Sequence, residues 1–393
     1  MKKMCRLKQI SVALILFLTA SCSSPLSGVP SSIETPPPSP HPTAGESIGR
    51  GQAAQLAFVS DRRQRGNLDI WLFDLVTEQI EPLTSDDWQD VKPAWSPDGQ
   101  TLAFISYEIG GSSGIRAIDL SDRMVHTLVP PERYAPVTDF VWSGDGKRIF
   151  YTIYDGQTFE SHVWQFDLQT NGYQHIVDAK YPISVSTDGR YLGLTVREPK
   201  FNDYFAFRVL RLSDSMILVP IEETFGPFAP TNQAWASREN VVAVTFGATA
   251  AQLGQIAIYT VDDGQVHLKS RAFVPRESRM EFCQPVWSPN AQKVLVIRAS
   301  IMTRGCKGEL VQYDSDLTDY RLLPLEGQVN YVNWSGDGSQ IVYGKDDTLD
   351  YPTYRSGFSG RSSGEIWLAQ STGLNARPLI TGPAYNGQPA WRP

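Results

Sequence analysis

A chain of 393 residues, 41% hydrophobic and 11% aromatic, carries enough apolar side chain for a large core, which excludes a chain disordered throughout. No G-X-Y or heptad period runs through it, which excludes the collagen-like and coiled-coil classes. The formal charge of -7 becomes -11 once the four basic residues of positions 1–21 are set aside, the reverse of the concentrated basic surface a nucleic-acid binder needs.

Residues 1–21 read as an export signal. Lys2, Lys3, Arg6 and Lys8 form a basic start, and Ile10 to Ala20 form an apolar run too short to span a bilayer permanently. The run ends in Leu18-Thr19-Ala20-Ser21-Cys22, which resembles the bacterial lipobox. That resemblance implies acylation of the Cys22 thiol, with Cys22 as the mature N-terminus; ordinary cleavage beside an incidental cysteine is the alternative. Ser23 rather than Asp after the cysteine implies the outer membrane in a Gram-negative cell, so the expected location is the periplasmic side of the envelope. Residues 22–51, the lipidated cysteine and a Ser/Pro-rich stretch with few large apolar groups, cannot offset their own ordering entropy and read as a disordered tether.

The remainder, 52–393, is organised by a repeat. KPAWSPDG (92–99) recurs as FVWSGDG (140–146), ISVSTDG (183–189), QAWASREN (233–240), PVWSPNA (285–291) and VNWSGDG (332–338), and PAW (389–391) closes the chain. The anchor positions 95, 142, 185, 235, 287, 334 and 391 lie 47, 43, 50, 52, 47 and 57 residues apart. Each unit predicts four strands: strand a ending at the anchor, an apolar strand b such as LAFVS (56–60) or KVLVIR (293–298), an alternating strand c such as DIWLFDL (69–75), and a weaker strand d such as EPLT (81–84).

Four antiparallel strands at this period predict an all-β fold, a single β-propeller of four-stranded blades. Each strand type counts seven; six blades with one distorted unit is the alternative. The first unit lacks strand a and the chain ends on one, so residues 389–391 are expected to pair with 56–60 and close the ring.

In residues 56–106 the run Ser60-Asp61-Arg62, Asp69-Ile70-Trp71, Asp74, Leu83-Thr84 and Pro93-Ala94-Trp95-Ser96-Pro97-Asp98-Gly99 is similar to the TolB-type β-propeller repeat. The similarity is good again at 141–168 and 285–315 and faint in blades four and five. It implies the propeller fold and a binding role in the cell envelope. The expected departures from TolB, with its six blades, are seven units, the lack of an α/β domain ahead of them and a lipid anchor.

Most regular residues here have structural readings. The S-P-D-G elements suit tight turns, and Trp95, Trp142, Trp235, Trp287, Trp334 and Trp391 are expected to pack between blades. Two G-x-S-x-G matches, 110–114 and 360–364, fall in hairpins between strands b and c, whereas a nucleophile elbow needs a strand–turn–helix. His126, His162, His175 and His267 are scattered without metal-ligand spacing, and the acidic loops at Asp314, Asp316, Asp319 and at Asp346, Asp347, Asp350 lack calcium-loop spacing, so no metal or other cofactor is expected. Cys283 and Cys306, the two cysteines outside the signal region, flank strands a and b of one blade and are expected to form a disulfide.

The function hint is loop length. The b–c and d–a connections open on one face and are the longer ones, with Trp88, Asp90, Tyr134, Asp139, Tyr351, Tyr354, Arg355, Phe358 and Arg361 as the candidate binding face. The expectation is a non-catalytic binding or scaffold module for an envelope protein or cell-wall ligand, held to the membrane by its lipid and working as a monomer. The alternative is a lactonase or sugar-processing enzyme using the central channel, for which Asp90 and Asp139 are the recurring acidic candidates. Replacing Cys22 (C22A) is expected to abolish palmitate labelling and move the protein from the membrane pellet to the soluble extract; labelling that persists in C22A assigns the lipid elsewhere.

Overall fold

Why the b strands are continuous apolar runs rather than alternating ones is explained by what lies on each side of them. In the strand Gln55–Gln64, Ala57 and Val59 face Val91 and Trp95 of the following unit, while Leu56 and Phe58 face Val342 and Ile366 of the preceding one. In Lys293–Ser300, Val294 and Val296 pack toward Ala243 and Ile258, and Leu295 and Ile297 toward Ile341 and Tyr343. Side chains alternate across a strand, so a sheet buried on both faces needs apolar residues at every position.

The computed structural model describes residues 55–393 apart from 109, 133–134, 199–203, 222–229, 249–252, 263, 276–278, 302–305 and 346–363. The export signal, Cys22 and the tether, together with Tyr134, Tyr351, Tyr354, Arg355, Phe358 and Arg361 of the expected binding face, lie outside the described residues.

Among the described residues the strands form five separate four-stranded antiparallel sheets and an eight-stranded one, the latter being two four-stranded units joined at the single pair Gly308↔Val329. The sheet of the first unit takes its inner strand from the chain terminus: Asn386–Trp391 pairs with Gln55–Gln64, Leu56 opposite Trp391 and Ala57 opposite Ala390. The other inner strands are Gln89–Trp95, Val137–Trp142, Lys180–Val185, Pro230–Trp235, Met280–Trp287 and Val329–Trp334. Each touches the inner strand of the next unit, and Asn386–Trp391 touches both Val329–Trp334 and Gln89–Trp95, completing the circuit.

The repeated tryptophans join one blade to the next by a specific bond. Trp95 Nε1 donates to the carbonyl of Ala390 and Trp142 Nε1 to that of Ala94, both at 3.0 Å. Trp287 Nε1 donates to Ala234 at 3.0 Å and Trp334 Nε1 to Val286 at 3.2 Å. In every case the acceptor is the residue just before the anchor of the preceding blade. Blade four has Val185 at its anchor, and there Trp235 Nε1 turns to the Ser184 hydroxyl at 3.0 Å instead. After Trp95 the Ser–Asp turn is closed locally: Ser96 Oγ donates to Asp98 Oδ1 at 2.6 Å, accepts from Thr101 N–H at 2.9 Å, and Gly99 sits at φ +66°. Ser143/Asp145, Ser186/Asp188 and Ser335/Asp337 repeat the hydroxyl–carboxylate bond.

Cys283 and Cys306 are disulfide-bonded, with Cα atoms 6.1 Å apart. Cys283 lies inside its inner strand, opposite Ile297, rather than ahead of it. Trp142→Phe keeps the packing ring but strands the Ala94 carbonyl, and is expected to cost about 1–3 kcal/mol; Trp142→Ala is expected to cost about 3–5 kcal/mol. Urea unfolding followed by circular dichroism measures both. Deleting residues 386–393 exposes an edge of Gln55–Gln64 and is expected to remove the cooperative transition.

Candidate functional site

On strand Ser113–Asp119, Arg116 stands in a predominantly apolar stretch and is only 6% exposed. A buried guanidinium is tolerable only when paired, and three acceptors meet it. Its Nη1 bonds the Asp86 carboxylate, Nη2 donates to Asp90 Oδ1 at 2.7 Å, and Nε donates to Ser106 Oγ at 2.6 Å. Ser106 Oγ in turn donates to Asp90 Oδ1 at 2.6 Å. The guanidinium carbon lies 4.5 Å from the Trp88 ring centroid and 5.5 Å from that of Phe104. Arg116 was not identified from the sequence; the available signal is a basic residue within a strand whose other side chains are mostly apolar.

This corrects the expectation that Asp90 faces a partner. The inner strand starts at Gln89, so Asp90 pairs with Ser106 and its side chain points into the blade, with no exposure. Burial pushes its carboxyl up to about 6, against the pull of the neighbouring Arg116 charge. Trp88 is half-buried beneath Arg116. Asp139 also lies inside its inner strand, opposite Thr152, and binds Lys92 Nζ at 3.2 Å, tying blade three to blade two. In blade one Ser60 Oγ and Arg62 Nη2, both from Gln55–Gln64, donate to Asn386 Oδ1 of the inner strand, at 2.9 and 2.7 Å, so an amide stands where Asp90 does in blade two. In blade two the network ties three strands together: Asp90 from Gln89–Trp95, Ser106 from Thr101–Tyr107 and Arg116 from Ser113–Asp119.

The axis of the ring is lined by inner strands that share an irregularity. Lys92, Gln284, Tyr331 and Gln388, each three residues before an anchor tryptophan, have φ of 53°, 50°, 47° and 50°. Strand registers shift there, between Val91 and Ala94, Cys283 and Val286, and Asn330 and Asn333. Such bulges detach backbone N–H groups from the ladder, and side-chain amides of the preceding blade accept them. Lys92 N–H donates to Gln388 Oε1 at 2.6 Å, Gln284 N–H to Asn232 Oδ1 at 3.1 Å, and Tyr331 N–H to Gln284 Oε1 at 3.0 Å. Together with Pro93, Pro285 and Pro389 these residues wall an axial cavity of about 280 Å³. Its charged lining group among the described residues is Lys92, paired with Asp139, and Tyr331 adds a phenol. The amides at this position, Asn232, Gln284 and Gln388, were legible in the repeat alignment but were not singled out.

Ser112, at the centre of the first G-x-S-x-G match, sits in a hairpin and donates to Glu108 Oε2 at 3.1 Å. Asp316 caps its own turn through the Thr318 hydroxyl at 2.7 Å, while Asp346, Asp347 and Asp350 lie outside the described residues. The histidines are not all scattered: His162 and His175 both contact Asp178, with ring centroids 5.9 Å apart, because they fall on paired strands of one hairpin.

No protein-family model matches the chain. Among solved structures it is similar to TolB from Acinetobacter baumannii, with a TM-score of 0.51 and 14% identity over 86% of this chain and 67% of that one. The fold is a TolB-like β-propeller. The propeller is also similar to an oligogalacturonate lyase from Vibrio parahaemolyticus, with a TM-score of 0.56 and 12% identity over 75% of this chain and 83% of that one. A curated relative, an uncharacterized peptidase of Bacillus subtilis, is 28% identical over 99 residues, which is 25% of this propeller chain but only 15% of that protein. Likeness at these identities extends to the fold, and binding proteins and enzymes both share it.

Asp90 supplies a pH test of the network. Its carboxyl is raised from 3.8 to about 6, so the folded state holds its proton more tightly and Asp90 favours folding most below pH 3.8. That contribution is lost as pH rises to about 6. The urea midpoint of the wild type is therefore expected to fall relative to Asp90→Asn across this window and to run parallel to it above; parallel curves throughout would place the Asp90 titration at its ordinary value.

Proposed function

We propose that this propeller is a non-catalytic binding or scaffold module, tethered by lipid on Cys22 to the periplasmic side of the envelope, that engages an envelope protein or cell-wall ligand through its long-connection face. One observation carries this reading. Two acidic groups of the inner strands, Asp90 and Asp139, are committed to internal ion pairs with Arg116 and Lys92, and a third, Glu281, accepts the Ala248 N–H at 3.4 Å. The axial wall is otherwise built from amides that bond one blade to the next. Catalysis in the channel requires charged groups with a task left over, whereas a braced ring is what a rigid display scaffold requires.

The sequence between strands Gln340–Lys345 and Glu365–Gln370 holds Tyr351, Tyr354, Arg355, Phe358 and Arg361, residue types that anchor interfaces. Crosslinking in envelope fractions, comparing the full chain with a deletion of 346–363, tests it. The expected result is loss of a crosslinked partner in the deletion; equal recovery from both removes this segment from the proposal.

A second reading, an enzyme of the sugar-processing type, draws support from the similarity to oligogalacturonate lyase. It predicts turnover of an oligosaccharide by purified protein, abolished by Lys92→Met. Absence of turnover with intact folding favours the binding role.

A further inference from the structure

Blade three carries a cluster that neither the repeat nor the binding role accounts for. His162 lies on strand Glu160–Asp167, His175 on the paired strand Gly172–Val177, and Asp178 immediately follows. Residues 162 and 164 share a face of their strand because side chains alternate. Val163 pairs with Val177 but Trp164 with His175, so Ile176 is an extra, bulged residue. The bulge brings His175 onto the face of His162 and Trp164, its ring centroid 5.9 Å from the first and 5.4 Å from the second. Asp178 Oδ1 then lies 2.7 Å from His162 Nδ1 and 2.9 Å from His175 Nε2. All three atoms fall within 4.8 Å of one another.

We propose that His162 Nδ1, His175 Nε2 and Asp178 Oδ1 form a binding site for a divalent transition-metal ion of the Zn²⁺ type. Two imidazole nitrogens and one carboxylate oxygen suit the borderline ions, Zn²⁺, Co²⁺, Ni²⁺ and Cu²⁺, whereas Ca²⁺ and Mg²⁺ prefer oxygen throughout. Tetrahedral coordination with bonds of about 2.0–2.2 Å spaces ligand atoms roughly 3.3–3.6 Å apart. The present oxygen–nitrogen distances of 2.7 and 2.9 Å must therefore open by about half an ångström. Asp178, with 65% of its side chain exposed, can swing outward to do so. A tetrahedral ion held by these three groups keeps one position for water.

Proton placement sets the acid sensitivity. When both neutral rings donate to Asp178, the protons sit on His162 Nδ1 and His175 Nε2. Metal binding needs those two lone pairs, so each neutral ring carries its proton on the other nitrogen, with no net proton released. A protonated ring must lose one proton first, and affinity falls on acidification. His126 and His267 each meet a single carboxylate, Asp122 at 3.7 Å and Asp262 at 3.4 Å, and so serve as internal controls.

The test uses full-length protein purified without a polyhistidine tag and stripped with chelator. CoCl₂ is titrated against visible ligand-field absorption, and ZnCl₂ by calorimetry. The expected result is one saturable equivalent, with the cobalt band lost on adding Zn²⁺ and affinity lower in acid. Outer-partner losses at metal sites typically cost roughly 10–100-fold, so His162→Ala, His175→Gln and Asp178→Asn are each expected to weaken binding by at least that much. His126→Ala is expected to bind as the wild type does. Circular dichroism verifies that each variant is folded, and the wild-type titration needs no variant at all. No saturable equivalent in the wild type, or unchanged affinity in the His162→Ala, His175→Gln double variant, overturns the site.

Discussion

The bond from the indole N–H of Trp95, Trp142, Trp287 and Trp334 to the carbonyl one residue before the preceding anchor is the constraint on which the rest of the architecture leans. A four-stranded blade cannot bury both of its faces alone. It must be held at a fixed offset from two neighbours, and a single directed hydrogen bond from a large, flat side chain sets that offset while filling the gap between sheets. The amide three residues before the anchor adds a second directed contact, bonding a backbone N–H freed by a bulge. Both contacts run the same way around the ring, from one inner strand to its predecessor. Where Val185 replaces the anchor tryptophan, the neighbouring Trp235 turns to a serine hydroxyl, so the indole keeps a partner even though the repeat lapses.

This arrangement explains where the charges went. Arg116, Asp86 and Asp90 could have been read as a catalytic constellation, because a raised carboxyl beside a guanidinium is common in active sites. Arg116 bonds both carboxylates and Ser106, and in blade one an amide, Asn386, stands at the position of Asp90. In blade two these bonds tie the inner strand to the two strands beside it. The pairing of Lys92 with Asp139 likewise uses a channel-facing cation to brace two blades.

The disulfide and the terminal strand answer a related need. An open ring would expose one edge of Gln55–Gln64 and one free end of the circuit of inner strands. Asn386–Trp391 covers that edge, and its Ala390 carbonyl accepts the Trp95 indole N–H, so the terminal strand completes the first blade and ties it to the second. The Cys283–Cys306 bond adds a covalent tie within a single blade, between its inner strand and the segment leading into Gly308–Asp314.

Strand positions, the anchor tryptophans and the S-x-D turns were legible in the sequence because they are local: period-two patterning, turn chemistry and a recurring tripeptide depend on residues a few positions apart. Side-chain direction was less so. Asp90 and Asp139 looked alike as acids ahead of an anchor, yet pairing register alone buried the first opposite Ser106 and set the second against Lys92. His162 and His175, 13 positions apart in the numbering, met only because a bulged hairpin folded one onto the other, which no spacing rule within a single strand anticipates. Sequence by itself thus determined the repeating unit, since short-range periodicity encodes strands and turns. Which polar groups converge was decided by the tertiary structure, because a one-residue shift in strand pairing moves a side chain from one face of a sheet to the other.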